Sequence, residues 1–322
     1  MARILVTGAG GFIGWHLVRR LKEEGHWVIG ADIKQPEFEP SRADKFVRYD
    51  LRQPHLAMLV CKDIDQVYNL AADMGGIGYI SGNRATIAGN NSRINLSMLE
   101  AARLCRVGRF LFSSSACVYA HDRQVSADVT PLKEEDAYPA APERGYGWEK
   151  LYTEQLCDYY REEFGLSVRV VRFHNVYGEL GSYDGGKEKA PAAACRKVAT
   201  VEDGGEIEIW GDGLQTRSFM YVDDCVEGLI RLMASDYQQP LNLGTDELVT
   251  INRLFELVGE IAGKKFTIRH DLTKPQGVRG RNSDNSKLRE VLDWEPKTSL
   301  AAGLIPTYQW ISQQVSKSHG NP

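Results

Sequence analysis

Arg3-Ile4-Leu5-Val6-Thr7-Gly8-Ala9-Gly10-Gly11-Phe12-Ile13-Gly14 opens the chain almost at its first residue. A β-branched run leads straight into glycines at 8, 11 and 14, and a helix-like segment, Ile13–Glu24, follows. Glycines without a Cβ permit a tight turn and let backbone N–H groups approach a pyrophosphate at a helix N-terminus. The side chains of Phe12 and Ile13 would flank that cofactor loop. Many turns carry glycines, so the loop gains meaning from its neighbours. Asp32 ends the next strand-like run, Trp27–Asp32, roughly twenty residues beyond Gly14, where an acid accepts hydrogen bonds from an adenosine ribose. A carboxylate there repels a 2′-phosphate and favours NAD over NADP, although Lys34 nearby weakens the preference.

Working outward, Phe46–Tyr49, Gln66–Leu70, Arg109–Ser113 and Ser167–Arg172 read as further strands, with helices near Ser92–Cys105 and Gly147–Phe164. Such alternation predicts an α/β fold: a Rossmann-type doubly wound parallel sheet with helices on both faces. Asp50 and Leu51 close one strand and could reach an adenine edge; Leu70, Ala71 and Ala72 close another and leave room for a cofactor. Each of these alone is more often plain packing. After Gly178 the texture becomes loop-rich. A strand at Ser218–Tyr221, a helix at Asp223–Ser235 and a strand at Pro240–Leu243 return to the Rossmann pattern. We therefore expect an NAD-binding domain over 1–178 with 218–246, and a smaller C-terminal substrate-binding lobe over 179–217 with 247–322. That lobe should hold a helix at Asn252–Ala262, a strand at Phe266–His270, a polar loop at Gln276–Asn285 and a terminal helix frayed over Lys317–Pro322.

The composition is that of a soluble globular protein: 322 residues, 43% hydrophobic, 25% charged, net charge −4. The absence of a basic excess argues against a general nucleic-acid binder. No apolar run approaches the roughly 20 residues of a membrane span. A strand starting at Arg3 leaves no room for a signal peptide. Six scattered cysteines without a C-x-x-C pair point to reduced thiols in a cytoplasmic setting. Histidines likewise lack metal-ligand spacing, so no metal is expected.

Tyr146-Gly147-Trp148-Glu149-Lys150 sets a phenol and an ammonium at i and i+4, on one helix face. A phenol with an ordinary pKa of about 10 becomes a usable base when a cation stabilises its phenolate. Ser113-Ser114-Ser115, ending a strand, can supply a hydroxyl to a substrate oxygen. Y-x-x-x-K alone is common. With the glycine loop upstream, the set resembles the short-chain dehydrogenase/reductase superfamily in its extended, nucleotide-sugar branch.

Longer blocks narrow the resemblance. Ala71-Ala72-Asp73-Met74-Gly75-Gly76, Ser114-Ser115-Ala116-Cys117, Arg172-Phe173-His174-Asn175-Val176-Tyr177-Gly178, Glu188-Lys189-Ala190-Pro191-Ala192-Ala193, Trp210-Gly211-Asp212-Gly213-Leu214-Gln215-Thr216-Arg217 and Gly280-Arg281-Asn282-Ser283 resemble the GDP-mannose 3,5-epimerases from residue 3 to about 312. The resemblance implies an isomerase that oxidises C4 of GDP-D-mannose with NAD. It then inverts C3 and C5 to give GDP-L-galactose, or C5 alone to give GDP-L-gulose, and finally reduces C4 again. By resemblance Cys117 is the base on one face of the ring and Lys189 the acid on the other; Tyr146, Lys150 and Ser115 serve the C4 oxygen. Ser114, Ala116, Gly75, Glu188 and Ala190 would border the hexose. Asn175, Lys197, Gln215, Thr216, Arg217 and Arg281 would hold the GDP portion, with Arg279 a near neighbour. Family members commonly form homodimers through a four-helix bundle, here the helices near 92–106 and 147–164.

Blander readings stand beside these. A cysteine after a strand is usually a small buried hydrophobe, and Lys189 by itself would be a solvated lysine. Trp148 and Ala120 depart from the family's common Leu and Pro. A GDP-mannose 4,6-dehydratase would need an acid where Ala116-Cys117 stands. A 4-epimerase would not use Cys117 and Lys189, and a non-catalytic NAD-binding protein would not need Tyr146 and Lys150.

Overall fold

The computed structural model describes residues 1–274 and 276–319. In chain order its first half comprises β1 (Arg3–Thr7), α1 (Phe12–Glu23), β2 (Trp27–Asp32), β3 (Lys45–Arg48), α2 (Pro54–Cys61), β4 (Gln66–Asn69), α3 (Ile77–Gly82), α4 (Arg84–Leu104), β5 (Arg109–Ser115), α5 (Tyr146–Phe164) and β6 (Val168–Phe173). There follow β7 (Asn175–Tyr177), α6 (Ala190–Thr200), β8 (Glu206–Trp210), β9 (Thr216–Tyr221), α7 (Val222–Ala234), β10 (Pro240–Leu243), β11 (Leu248–Thr250) and α8 (Ile251–Ala262). The chain closes with β12 (Thr267–Asp271), β13 (Gly280–Arg281), α9 (Ser286–Leu292) and α10 (Leu300–His319). Helix α10 persists through His319; the rest of the expected frayed tail, 320–322, lies outside the described residues.

The main sheet has seven strands in the order β10-β6-β5-β4-β1-β2-β3, all paired in parallel. Alternation along each strand divides its side chains between two apolar layers. Ile4, Val6, Leu111 and Val171 pack under α1, α7 and α9, while Leu5, Phe110, Phe112 and Val170 pack under α2, α4 and α5. A one-residue slip would exchange the two sets, so burial on both faces pins the register. The strand order reverses between β1 and β4, and ligands of such sheets bind in that crevice at the carboxyl ends.

Outside the main sheet, β9 pairs with β7, β11 and β13, and β12 pairs with β8. Asn175–Tyr177 and Ser218–Tyr221, expected in the NAD-binding domain, thus share a sheet with strands of the expected C-terminal lobe rather than joining the seven-stranded sheet. A third apolar cluster joins α6, α8 and α10 over these strands. Leu288 and Leu292 of α9 instead join the core layer beneath β10. The loop expected at Gln276–Asn285 contains β13. Its Gly280 is required there, because a Cβ would fall 2.2 Å from the Ser126 carbonyl oxygen.

One ion pair is buried in the Rossmann half. Arg172, at the end of β6, meets Glu154 of α5 at 3.0 and 2.7 Å, with both side chains 3% exposed or less. Burial works against the Arg172 charge, and Glu154 more than restores it. Removing one member leaves the other charged and dry. Glu154→Ala should therefore lower unfolding stability by about 3–5 kcal/mol, read by urea titration. A loss below about 1 kcal/mol would mean that water or another group solvates Arg172.

Candidate active site

Gly8 sits at φ +71, and a Cβ at Gly14 would lie 2.2 Å from the Gly8 oxygen, so the turn after β1 admits no side chain at either point. The Gly10 N–H donates to Asp32 at 2.9 Å and the Lys34 N–H donates to the same carboxylate at 3.1 Å. Burial raises the Asp32 pKa above the usual carboxylate value. A Cβ on Gly8 would also meet the Leu70 carbonyl and Ala71 nitrogen at 2.9 Å, so the two loops line one narrow crevice. The Ala71 N–H is held by Thr7 Oγ1 at 3.0 Å. Glycine loop, acid and small-residue wall fit a dinucleotide. Asp50 is engaged by the Arg52 guanidinium at 2.7 Å, and Leu51 is buried in the core layer.

Helix α5 starts against the residues that follow β5. Gly147 has no room for a Cβ, which would lie 2.2 Å from the Cys117 oxygen; this close approach sets Tyr146 beside Cys117, in one apolar cluster. Lys150 Nζ donates to the Ser113 carbonyl at 2.9 Å. It lies 5.6 Å from the Tyr146 ring centre. Burial lowers the Lys150 pKa. Burial also pushes the Tyr146 phenol well up, helped by Cys117 and Glu149, while Ser115 draws it down.

The three serines part company. Ser113 donates to the Asn69 carbonyl at 2.9 Å, and Ser114 donates to Glu154. Ser114 was expected at the substrate; it faces the buried ion pair instead, because successive strand residues point to opposite faces. Ser115 remains for the site. β5 runs two residues beyond the expected Ser113 and so carries Ser115 to the crevice. There its hydroxyl accepts from the Cys117 N–H at 3.2 Å and caps a short turn over Ala116–Val118.

Cys117 lies between opposite charges. Arg281 of β13 donates to its sulfur at 3.5 Å, and Gln124 holds that guanidinium at 2.6 Å. Burial pushes the thiol up, Arg281 pulls it down, and Glu143 pushes it up again. Lys189 stands at the N-terminal boundary of α6, makes no capping bond with its side chain, and has no hydrogen-bond partner for its ammonium among the described residues. Burial lowers its pKa, Cys117 draws it back up, and Arg281 lowers it again.

Among the outer contacts, Arg217 is partly buried with only carbonyl partners, Thr216 and Val278 at 2.6 Å and Gln276 at 3.5 Å; burial and then Arg281 bring its pKa down to about 9. Gln215 has a buried Oε1 without a partner among the described residues. Both are suited to an anionic or polar ligand. Others already have protein partners. Lys197 donates to the Glu208 carbonyl at 2.6 Å, Thr216 to Ala127 at 2.5 Å and Asn175 to Ser218 at 3.1 Å. Arg279 is neutralised by Asp212 at 2.8 and 2.9 Å, which separates it from Arg281. Gln124 and Glu143 are the neighbours that sequence reasoning missed, since neither sits in a motif.

The model of the NAD dependent epimerase/dehydratase family matches residues 4–244. The chain is 49% identical to the GDP-mannose 3,5-epimerase of Arabidopsis thaliana over 98% of its own length and 83% of the relative's. It shows the same identity and coverage with GDP-mannose 3,5-epimerase 1 of Oryza sativa subsp. indica. The UDP-glucose 4-epimerase of Thermotoga maritima, solved with UDP-glucose, superposes at a TM-score of 0.87 with 30% identity, covering 97% of this chain and 99% of that one.

Proposed function

We propose that this chain, which belongs to the NAD dependent epimerase/dehydratase family, converts GDP-D-mannose to GDP-L-galactose by inverting C3 and C5, with GDP-L-gulose the product of C5 inversion alone. The observation that carries this reading is Cys117, with an arginine on its sulfur, clustered with Tyr146 of the Tyr146–Lys150 pair and within electrostatic reach of Lys189, whose ammonium has no hydrogen-bond partner among the described residues.

Bound NAD supplies the two-electron oxidation of C4 and its reversal, and its positive ring favours the Tyr146 phenolate. Asp32 and the glycine loop would hold it, and Lys150 adds positive charge beside the phenol. Tyr146 Oη takes the C4 hydroxyl proton. A C4 carbonyl then makes the protons on C3 and C5 acidic. Cys117 Sγ removes one from one face of the ring, and Lys189 Nζ returns one from the other. Tyr146 and Ser115 stabilise the enolate oxygen as it forms. Arg217 and Arg281 suit the diphosphate, for which planar guanidinium forks are well shaped.

We read the assembly as a homodimer. Leu96 and Leu104 of α4 and Trp148, Tyr152 and Tyr159 of α5 are about half exposed, an apolar face that a second copy would cover to form a four-helix bundle. All six cysteines are free, which supports a reducing, cytoplasmic setting. No helix among the described residues is long and apolar enough to cross a membrane.

Incubating GDP-mannose with the protein in deuterated water tests the reaction. The GDP-L-galactose formed should carry deuterium at C3 and C5 by NMR, and the gulose product at C5 only. Product without label at either carbon would exclude enolisation.

A further inference from the structure

The Lys189 ammonium has no hydrogen-bond partner among the described residues, so its place is set through its backbone, and that backbone is pinned by the segment after β4. A Cβ on Gly76 would lie 2.9 Å from the Glu188 oxygen, so the segment after β4 touches the segment before α6. Beside this contact, Lys187 Nζ stands 4.1 Å from the centre of the Tyr79 ring. The same ring covers Gly75, whose Cβ would meet it at 3.0 to 3.1 Å. Tyr79 is itself fixed: its hydroxyl donates to Asp73 at 2.8 Å, and Asn90 donates to the other Asp73 oxygen at 2.9 Å. Asn91 completes the seat, accepting from the Asp73 N–H at 2.6 Å.

On the other side the restraint is thin. Gly185 and Gly186 both lie at φ +83, and beyond them Glu188 accepts from the Gly186 N–H at 2.7 Å and from Arg196 at 3.2 Å. Glycines in that conformation give the segment freedom that only its contacts remove.

We propose that Tyr79 and Lys187 form a clasp that positions Lys189 on its face of the sugar, which makes Tyr79 a positioning residue for inversion. The inference rests on the two-face epimerisation above. When Cys117 breaks a C–H bond, the sulfur gains the proton and the electron pair stays in the enolate. Lys189 must then deliver an N–H proton to the opposite face before the S–H returns its own. With Lys189 displaced, the S–H exchanges with solvent and reprotonates the original face. The carbon regains its first configuration but carries deuterium.

The test is the ratio of deuterium in recovered GDP-mannose to product formed, at initial rates in deuterated water. Tyr79→Ala and Lys187→Gln should lower product formation roughly three- to tenfold, the scale of a lost cation–π contact with its packing. The ratio should rise at least as much. Lys187→Arg keeps the cation over the ring and should restore both values. Tyr79→Phe keeps the ring, loses the Asp73 bond and should fall between; it also serves if Tyr79→Ala fails to fold. An unchanged ratio in Tyr79→Phe and Lys187→Gln, whatever their rates, overturns the clasp. Failure of the unaltered protein to form product overturns the epimerase reading instead.

Discussion

Cys117→Ala should keep the fold and NAD binding while lowering inversion at C3 and C5 by about two to four orders of magnitude. The backbone at Cys117 is held independently of its sulfur: its N–H reaches Ser115 at 3.2 Å and its carbonyl accepts from Glu143 at 3.0 Å. Alanine therefore removes the base and little else. Serine should not rescue the rate, because a hydroxyl is a far weaker acid than a thiol. The pH dependence follows from the same surroundings. Burial raises the thiol's pKa and lowers that of Lys189, so kcat/KM should climb with pH as the thiol ionises and then fall as Lys189 loses the proton it must deliver. Arg281, at 3.5 Å, opposes that rise, so Arg281→Gln should carry the ascending limb to still higher pH. Product formation by NMR and retained NAD by absorbance measure the two halves. An inversion rate within tenfold of the unaltered protein would remove Cys117 from the role.

Tyr146→Phe attacks an earlier step and should silence everything downstream. Without the phenol the C4 hydroxyl has no proton acceptor, no carbonyl forms, and C3 and C5 lose their acidity. The expected loss is again about 10²- to 10⁴-fold, with no deuterium entering any carbon. The missing hydroxyl lies at the start of α5, whose backbone Gly147 presses on Cys117, so phenylalanine should pack in the same place. The two variants differ where it matters: Cys117→Ala should still permit chemistry at C4, and Tyr146→Phe should not. Label at C3 or C5 in Tyr146→Phe at near the unaltered rate would assign the C4 proton to another group.

Much of the site could be read in the sequence because its chemistry depends on residues close together in the chain. The glycine loop joins one strand to one helix, Tyr146 and Lys150 share one helical face, and Ser115 and Cys117 flank one turn. Spacing determines such neighbours before the chain folds. The strands were legible for a similar reason, since burial on both faces demands short apolar runs. Their ends were less so: β5 outlasts its apolar residues by continuing through three serines. β13 is only two residues long, Gly280–Arg281, with no periodicity to detect.

The distribution of the three adjacent serines among three partners is a different matter. Nothing local distinguishes Ser114 from Ser115; strand alternation and the buried Arg172–Glu154 pair do. The chain by itself determined the strands and helices of a Rossmann alternation, its cofactor loop and the helix that bears Tyr146 and Lys150, because each is written in the pattern of residues close together in the chain. Tertiary structure alone decided that Arg281 reaches the Cys117 sulfur, that Arg279 is spent on Asp212, and that Tyr79 meets Lys187. Those pairs lie far apart in sequence: Arg281 and Lys187 meet Cys117 and Tyr79 only where the later segments pack against the sheet, and Arg279 meets Asp212 only through the folding of those segments on themselves.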